Sequence, residues 1–224
     1  MNVFIVGTGK LANELLKELQ LGAEFTVVAW RKDAPLTAHA IVVHAGSGRE
    51  LPEAIAFCQQ TNSVLIELAT GSALETRVPG IPVILCPNTN LLMLKFMSML
   101  SRSGDLFKGY DIHLTESHQA GKKSTPGTAV ALAQSLGLTA EDIVSIRDPD
   151  EQRRTLQIPV EHLARHAFHR ISMQDSVCHI AMETRVYGSS PYAPGVSKIV
   201  EAVHARTLEN RSYAINEFIE NGWV

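Results

Sequence analysis

The chain opens with a short apolar run over residues 2–6 that stops at Gly7, and from Leu11 the apolar spacing becomes helical through Leu15, Leu16 and Leu19. Further apolar runs follow at residues 25–30 and 40–45. A helical stretch at 50–60 comes next, then two more strand-like runs at 63–68 and 81–86. Strand and helix in regular alternation predict a parallel sheet with right-handed crossovers and with ligands at the carboxyl ends of the strands. After Asn90 the texture changes. Residues 91–100 form a strongly apolar helix whose Met93, Met97 and Met99 speak for packing. Residues 110–115 read as a strand and 128–136 as a helix. Residues 151–158, 167–173 and 176–185 alternate as strands do, and 195–210 and 213–219 read as a long and a shorter helix. The fold class is therefore α/β. A first domain at 1–90, completed by 206–224, is followed by an α+β domain at 91–205 with a mixed or antiparallel sheet and a helix or two on one face.

The turn after the first strand is Gly7-Thr8-Gly9-Lys10-Leu11-Ala12, a Gly-x-Gly-x-x-Ala pattern between a strand and a helix. In a Rossmann-like dinucleotide-binding unit the first glycine makes the tight turn. The second lets backbone approach a pyrophosphate, and a small third residue lets helix and strand pack closely. At the end of the second strand, where an NAD-binding unit carries an acid for the ribose hydroxyls, this chain has Trp30-Arg31-Lys32. Two cations suit a 2′-phosphate, so NADPH is expected over NADH, with NADH possible. The loops Gly46-Ser47-Gly48, Ala69-Thr70-Gly71 and Pro87-Asn88-Thr89-Asn90 close later strands and are expected on the cofactor side, although Gly and Asn also favour plain tight turns.

A second concentration of chemistry lies at Glu116-Ser117-His118-Gln119-Ala120-Gly121-Lys122-Lys123-Ser124-Thr125-Pro126-Gly127-Thr128-Ala129. An imidazole and an ammonium four residues apart in a loop precede a Pro-Gly break and a helix start whose free N–H groups attract anions. This arrangement suits a small carboxylate-bearing substrate that must exchange a proton.

Composition sets limits on the class. The 224 residues are 45% hydrophobic and 19% charged, with a formal net charge of −3. Basic residues occur in no run longer than a pair, so no nucleic-acid partner is expected, and no apolar stretch approaches a membrane span. Cys58, Cys86 and Cys178 are widely spaced, which suggests reduced, mostly buried thiols and offers no metal-ligand spacing. A strand-like run within two residues of Met1 leaves no room for a secretory n-region, so a cytoplasmic protein is expected.

Taken together and in order, these pieces resemble the dihydrodipicolinate (4-hydroxy-tetrahydrodipicolinate) reductase family of bacterial diaminopimelate and lysine synthesis. The family signature is Glu-x-His-His-x-x-Lys-x-Asp-Ala-Pro-Ser-Gly-Thr-Ala after a strand, matched here by residues 116–129. Ala56-Phe57-Cys58, Thr70-Gly71, Pro87-Asn88 and Tyr192-Ala193-Pro194-Gly195 add matches. The resemblance implies an NAD(P)H-dependent oxidoreductase acting on a small dicarboxylate ring, in a homo-oligomer that is usually a tetramer. By that resemblance His118 is the general acid and Lys122 meets the substrate beside it. Gln119, Gly127 and Thr128 lie at the substrate, with Gly127 and Thr128 holding a ring carboxylate. Gly7, Thr8, Gly9, Lys10, Leu11, Ala12, Arg31, Lys32, Ala69, Thr70, Gly71, Pro87 and Asn88 fall on the cofactor side. The chain also departs from the pattern. Gln119 replaces the second His, Ser124 replaces the Asp, the Ser before Gly127 is absent, and a late His-x-x-x-x-Arg reads Thr184 and Ser189. Only His169 keeps register with a later family His. These changes leave open a paralogue that reduces another imine or enone, or a nucleotide-binding protein without catalysis.

Overall fold

The computed structural model describes residues 1–32, 39–77, 80–188 and 191–224; Ser189 lies outside the described residues. The chain divides into two compact units, Met1–Leu94 with Tyr192–Val224, and Lys95–Pro191.

The first unit is a six-stranded, wholly parallel sheet. Its strands are β1 (Asn2–Val6), β2 (Thr26–Ala29), β3 (Ala40–His44), β4 (Val64–Glu67), β5 (Val83–Leu85) and β10 (Ser212–Ala214), in the order β10-β5-β4-β3-β1-β2. Every residue of β3 and β4 is buried, the mark of a parallel sheet covered on both faces. On one face α2 (Leu51–Thr61) sets Leu51, Ala54, Phe57 and Cys58 against Phe4, Val6, Val42 and Leu65, with Phe4 and Phe57 meeting edge to face at 5.4 Å. Elsewhere in the unit α1 (Lys10–Glu18) packs on α6 (Ala193–His204), and the Gln20 N–H donates to Ser197 Oγ at 3.1 Å.

The second unit holds a mixed sheet of β7 (Ile143–Ile146), β6 (Asp111–His118), β8 (Ala167–Gln174) and β9 (His179–Val186), in that order, with only β6 and β7 parallel. Period-two alternation along β6 sends Ile112, Leu114, Glu116 and His118 to one face. The apolar end of that face is covered by α3 (Leu91–Ser103), within which the division between units falls, and by α4 (Gly127–Ser135). There Leu100, Leu132, Ala133 and Leu136 meet Leu114, Ile171 and Met173. Cys58 and Cys86 are buried, and burial pushes both thiols up to about 12, whereas Cys178 is exposed.

Several expectations need correction. Residues 151–158 do not form a strand, because α5 (Pro149–Arg154) begins there. Asp148 caps it by accepting the Glu151 N–H at 2.8 Å, Pro149 fits the first turn, and acids lead while Arg153 and Arg154 close the helix. The long helix starts two residues earlier than expected and ends at His204 rather than Asn210. The chain must leave the helix in time to enter β10 as the sixth strand, so Tyr213 is a strand residue and α7 (Ile215–Glu220) starts after it. The short β7 and β10 went unread.

Two glycines are set by space. A Cβ on Gly195 would overlap the Thr89 carbonyl, and one on Gly104 would overlap the Ser135 carbonyl. Gly104→Ala is expected to lower unfolding stability by about 1–3 kcal/mol, the usual penalty for overpacking. Urea denaturation checks this, and an unchanged midpoint would refute it.

Candidate active site

Strand register assembles the polar end of the second sheet. Ser145 on β7, Glu116 on β6, His169 on β8 and Thr184 on β9 are successive Cα partners, so one row of polar side chains crosses all four strands on a single face. His118 follows two residues after Glu116 on the same face. It was expected in a loop but is the last residue of β6, which runs three residues further than the expected 110–115.

Glu116 is buried and its carboxylate is well supplied with donors. Oε2 accepts from His118 Nδ1 at 2.8 Å, and Oε1 accepts from Ser145 Oγ and Arg147 Nη2. Burial by itself would raise this carboxyl. The hydrogen bonds from His118, Arg147 and Ser145, with the charge of Arg147, outweigh it and bring Glu116 down to about 2. A carboxylate on Nδ1 fixes the hydrogen there and leaves Nε2 as the working end of His118, whose side chain is 14% exposed.

Two more imidazoles stand near. The His118 ring lies 6.5 Å from His166, roughly stacked, and 5.9 Å from His169, edge to face. His166 Nδ1 donates to the His162 carbonyl at 3.1 Å, so its Nε2 accepts the Ser117 hydroxyl at 2.9 Å. Burial lowers His166, and burial, with the charge of His118, lowers His169 to about 4. His118 is thus the one imidazole of the three with a carboxylate on its ring. Gln152 ties the strand end down, its Nε2 donating to the carbonyls of His118 at 2.8 Å and Ile146 at 3.1 Å.

Beyond His118 the chain turns, and the Lys122 N–H donates to the Gln119 carbonyl at 2.9 Å. Gln119 is exposed and Lys122 half-buried, and the Lys122 carbonyl accepts from Arg147 Nε at 3.0 Å. Gly127 and Thr128 open α4 behind Pro126, with no side-chain cap and no acid in the first turn, so their donors stay available to an anion. Arg147, Ser145, Gln152 and His166 escaped the sequence reading. The four-residue β7, behind the Thr139-x-x-Asp142 capping pattern, was the available signal for the first two.

In the first unit Gly7 has φ +127°, and a Cβ there would lie 2.8 Å from the Ala45 carbonyl oxygen. Only glycine suits this turn. Gly9 caps α1 with no side-chain bond, and the space where its Cβ would point is open. Ala12 is fully buried, and no acid stands in the first turn of the helix. This arrangement fits the pyrophosphate of a dinucleotide. Thr8, Lys10 and Leu11 complete the turn, with the Thr8 carbonyl accepting from Asn13 Nδ2 at 3.2 Å. Arg31 and Lys32 are exposed, and Lys32 pairs with Glu53 on α2. The N–H groups of Ala69 and Gly71 are taken by Glu67 and Glu75, while Thr70 is exposed. After Pro87, Asn88 spends its Oδ1 on the Asn90 N–H at 3.0 Å, leaving its amide donors.

The chain resembles known proteins in sequence and in fold. The family model described as dihydrodipicolinate reductase, C-terminus, matches residues 90–219. The probable 4-hydroxy-tetrahydrodipicolinate reductase 2, chloroplastic, of Oryza sativa subsp. japonica is 34% identical over 121 residues, 51% of this chain and 37% of its own length. The 4-hydroxy-tetrahydrodipicolinate reductase 2, chloroplastic, of Arabidopsis thaliana is 38% identical over 115 residues, 48% of this chain and 32% of its own. The matches thus span about a third of these relatives. Their chloroplastic names do not fit the cytoplasmic expectation; among the described residues no helix is long and apolar enough to cross a membrane. Among solved structures, dipicolinate-bound dihydrodipicolinate reductase from Paenisporosarcina sp. TG-14 superposes with TM-score 0.66 at 16% identity, over 95% of this chain and 97% of that one. C. glutamicum DAP dehydrogenase in complex with DAP follows with TM-score 0.51 at 9% identity, over 98% of each chain. At such identities these two speak to the α/β Rossmann-like fold.

A histidine held near 4 when folded and near 6.5 when unfolded binds more protons unfolded between those values, so its contribution to stability falls as pH drops from 6.5 towards 4. His169→Asn is therefore expected to flatten the acid side of the stability curve in that window. Urea midpoints from pH 7 to pH 4 test this, and an unaltered slope in the variant would contradict it.

Proposed function

Because the chain belongs to the dihydrodipicolinate reductase family, we propose that it reduces 4-hydroxy-tetrahydrodipicolinate (dihydrodipicolinate) to tetrahydrodipicolinate with NAD(P)H, in diaminopimelate and lysine synthesis. The observation that carries this reading is His118 at a strand end, its Nδ1 committed to Glu116 and its Nε2 left to act, four residues before Lys122 and nine before the helix start at Gly127.

The nicotinamide, when bound, supplies the hydride. In this step His118, protonated on both ring nitrogens, delivers its Nε2 proton to the ring carbon beside the one that takes the hydride, and Glu116, accepting from Nδ1–H, orients the ring. Arg147 and Ser145 hold Glu116 in turn. Gly127 and Thr128 at the start of α4 bind one ring carboxylate, and the Lys122 ammonium meets the substrate in the same site. Gly7 and Gly9 would hold the pyrophosphate, Ala12 lets helix and strand pack closely behind them, and Arg31 with Lys32 would favour the 2′-phosphate of NADPH. A second reading, reduction of a different imine or enone ring, is favoured by Gln119 and Ser124 standing where the family keeps His and Asp.

His118→Gln is expected to lose about 10²- to 10⁴-fold in turnover, the usual worth of a positioned acid, while keeping its affinity for NADPH. Loss of both would mark a structural histidine instead. Lys122→Ala should raise KM as well as lower kcat, and a normal KM would remove it from the substrate site. The decisive assay follows NADPH and NADH oxidation with the ring generated in place from pyruvate and aspartate semialdehyde by its synthase. Oxidation that depends on the synthase supports the reductase. NADPH binding without oxidation, for any ring imine supplied, would rule it out.

A further inference from the structure

The residue after β7 reaches two parts of the candidate site that strand register does not join. Glu116 pairs with Ser145 and Ser117 with Ile146, so Arg147 leaves the sheet one position beyond the last pair, on the face that carries Ser145. Its backbone is held on both sides. Ile146 ends the strand before it, and Asp148 after it caps α5 by accepting the Glu151 N–H at 2.8 Å. Gln152 on that helix donates to the carbonyls of His118 at 2.8 Å and Ile146 at 3.1 Å, which ties α5 to the ends of β6 and β7.

The guanidinium spreads from this fixed base. Nη2 donates to Glu116 Oε1, Nη1 to the Ile146 carbonyl at 3.1 Å and Nε to the Lys122 carbonyl at 3.0 Å. Glu116 is the carboxylate on His118 Nδ1, so the first bond bears on the acid. The third bears on the loop that leads to α4. His118 is fixed by its strand, whereas Lys122 follows a turn that its own N–H closes on the Gln119 carbonyl at 2.9 Å, with residues 119–121 and 123–125 exposed on either side. A loop exposed on both sides does not hold a side chain at a set distance unless another element grips it. Arg147 is 21% exposed and Glu116 fully buried, so the anchoring bond of the guanidinium is shielded from water while its other edge reaches the loop.

We propose that Arg147 is a positioning residue that sets the spacing between His118 and Lys122, one planar guanidinium gripping both the carboxylate that orients the acid and the backbone of the lysine. The residue type suits the task. A guanidinium presents its donors in a rigid fork, whereas a lysine at this position would keep a charge beside Glu116 but has only a point of charge on a flexible stem, and cannot hold the carboxylate and the loop carbonyl in that geometry. The roles of His118 and Lys122 rest on the reading of the site above; the brace between them does not.

Three variants separate the brace from general support of Glu116. Arg147→Lys keeps the charge, Arg147→Met removes it, and Ser145→Ala takes a donor from Glu116 while leaving the bond to the loop. Amide exchange at Lys122, followed by NMR in the ligand-free protein, is expected to quicken about tenfold in both Arg147 variants, the loss of one hydrogen bond. In Ser145→Ala it should stay within about threefold of wild type. Unchanged exchange in the Arg147 variants, or equal acceleration in Ser145→Ala, would overturn the brace. In the synthase-coupled assay Arg147→Lys is expected to raise KM about tenfold with kcat within about threefold of wild type, whereas Arg147→Met also lowers kcat by about 10²-fold as the acid loses its alignment. The same losses in both variants would overturn the double grip. If wild type oxidises neither NADPH nor NADH with any ring imine, the reductase reading fails, and exchange at Lys122 alone decides the brace.

Discussion

Removing a carboxylate from water demands donors in return, and the second unit is arranged to supply them to Glu116. Ser145 and Arg147 come from β7 and the residue after it, and His118 from two places along the same strand. The resulting charge, held down to about 2, stays ionised at any working pH and governs the nearest imidazole. The order of β7-β6-β8-β9 follows the same requirement. The parallel pairing of β6 with β7 is what brings Ser145 opposite Glu116, and the antiparallel pairing with β8 brings His169 to its other side.

That sheet face also explains how a polar cluster coexists with a core. Ile112, Leu114, Ile171 and Met173 occupy one end, where α3 and α4 cover them, and Glu116, His118 and His169 occupy the other. Burial, with the charge of His118, lowers His166 and His169, and for His169 it outweighs the nearby Glu116 carboxylate, whereas His118 has Glu116 on its ring and partial access to solvent. His118 and the two imidazoles within 6.5 Å of it thus differ in chemistry through their other contacts.

The first unit applies the same physics to a different end. Strands buried on both faces can place polar groups only at their tips, and His44 and Glu67 sit at the tips of adjacent strands beside the glycine turn. The departures from the family pattern are concentrated on the surface of the second unit's site. Gln119 and Ser124 are exposed, while Glu116 and His118, beneath them, are retained.

Much of this was legible in the order of residues. Apolar runs of four to six residues, glycine turns and helical spacing suffice to call a parallel α/β unit, because each rests on neighbours along the chain. The stretch from Glu116 to Ala129 likewise puts an imidazole, a lysine and a helix start within one reach of chain. What stayed hidden depended on partners distant in sequence. Residues 151–158 alternate as a strand does, yet Asp148 and Pro149 start a helix there, a local signal that was outweighed by periodicity. Arg147 is 31 residues from Glu116, His166 is 49 from Ser117, and Glu67 is 23 from His44. Strand register alone makes such pairs neighbours, and register is a property of the folded sheet. The sequence by itself thus determined the fold class and the candidate acid. Only the tertiary structure decided which carboxylate orients that acid, which histidines stay neutral beside it and what lies behind the glycine turn.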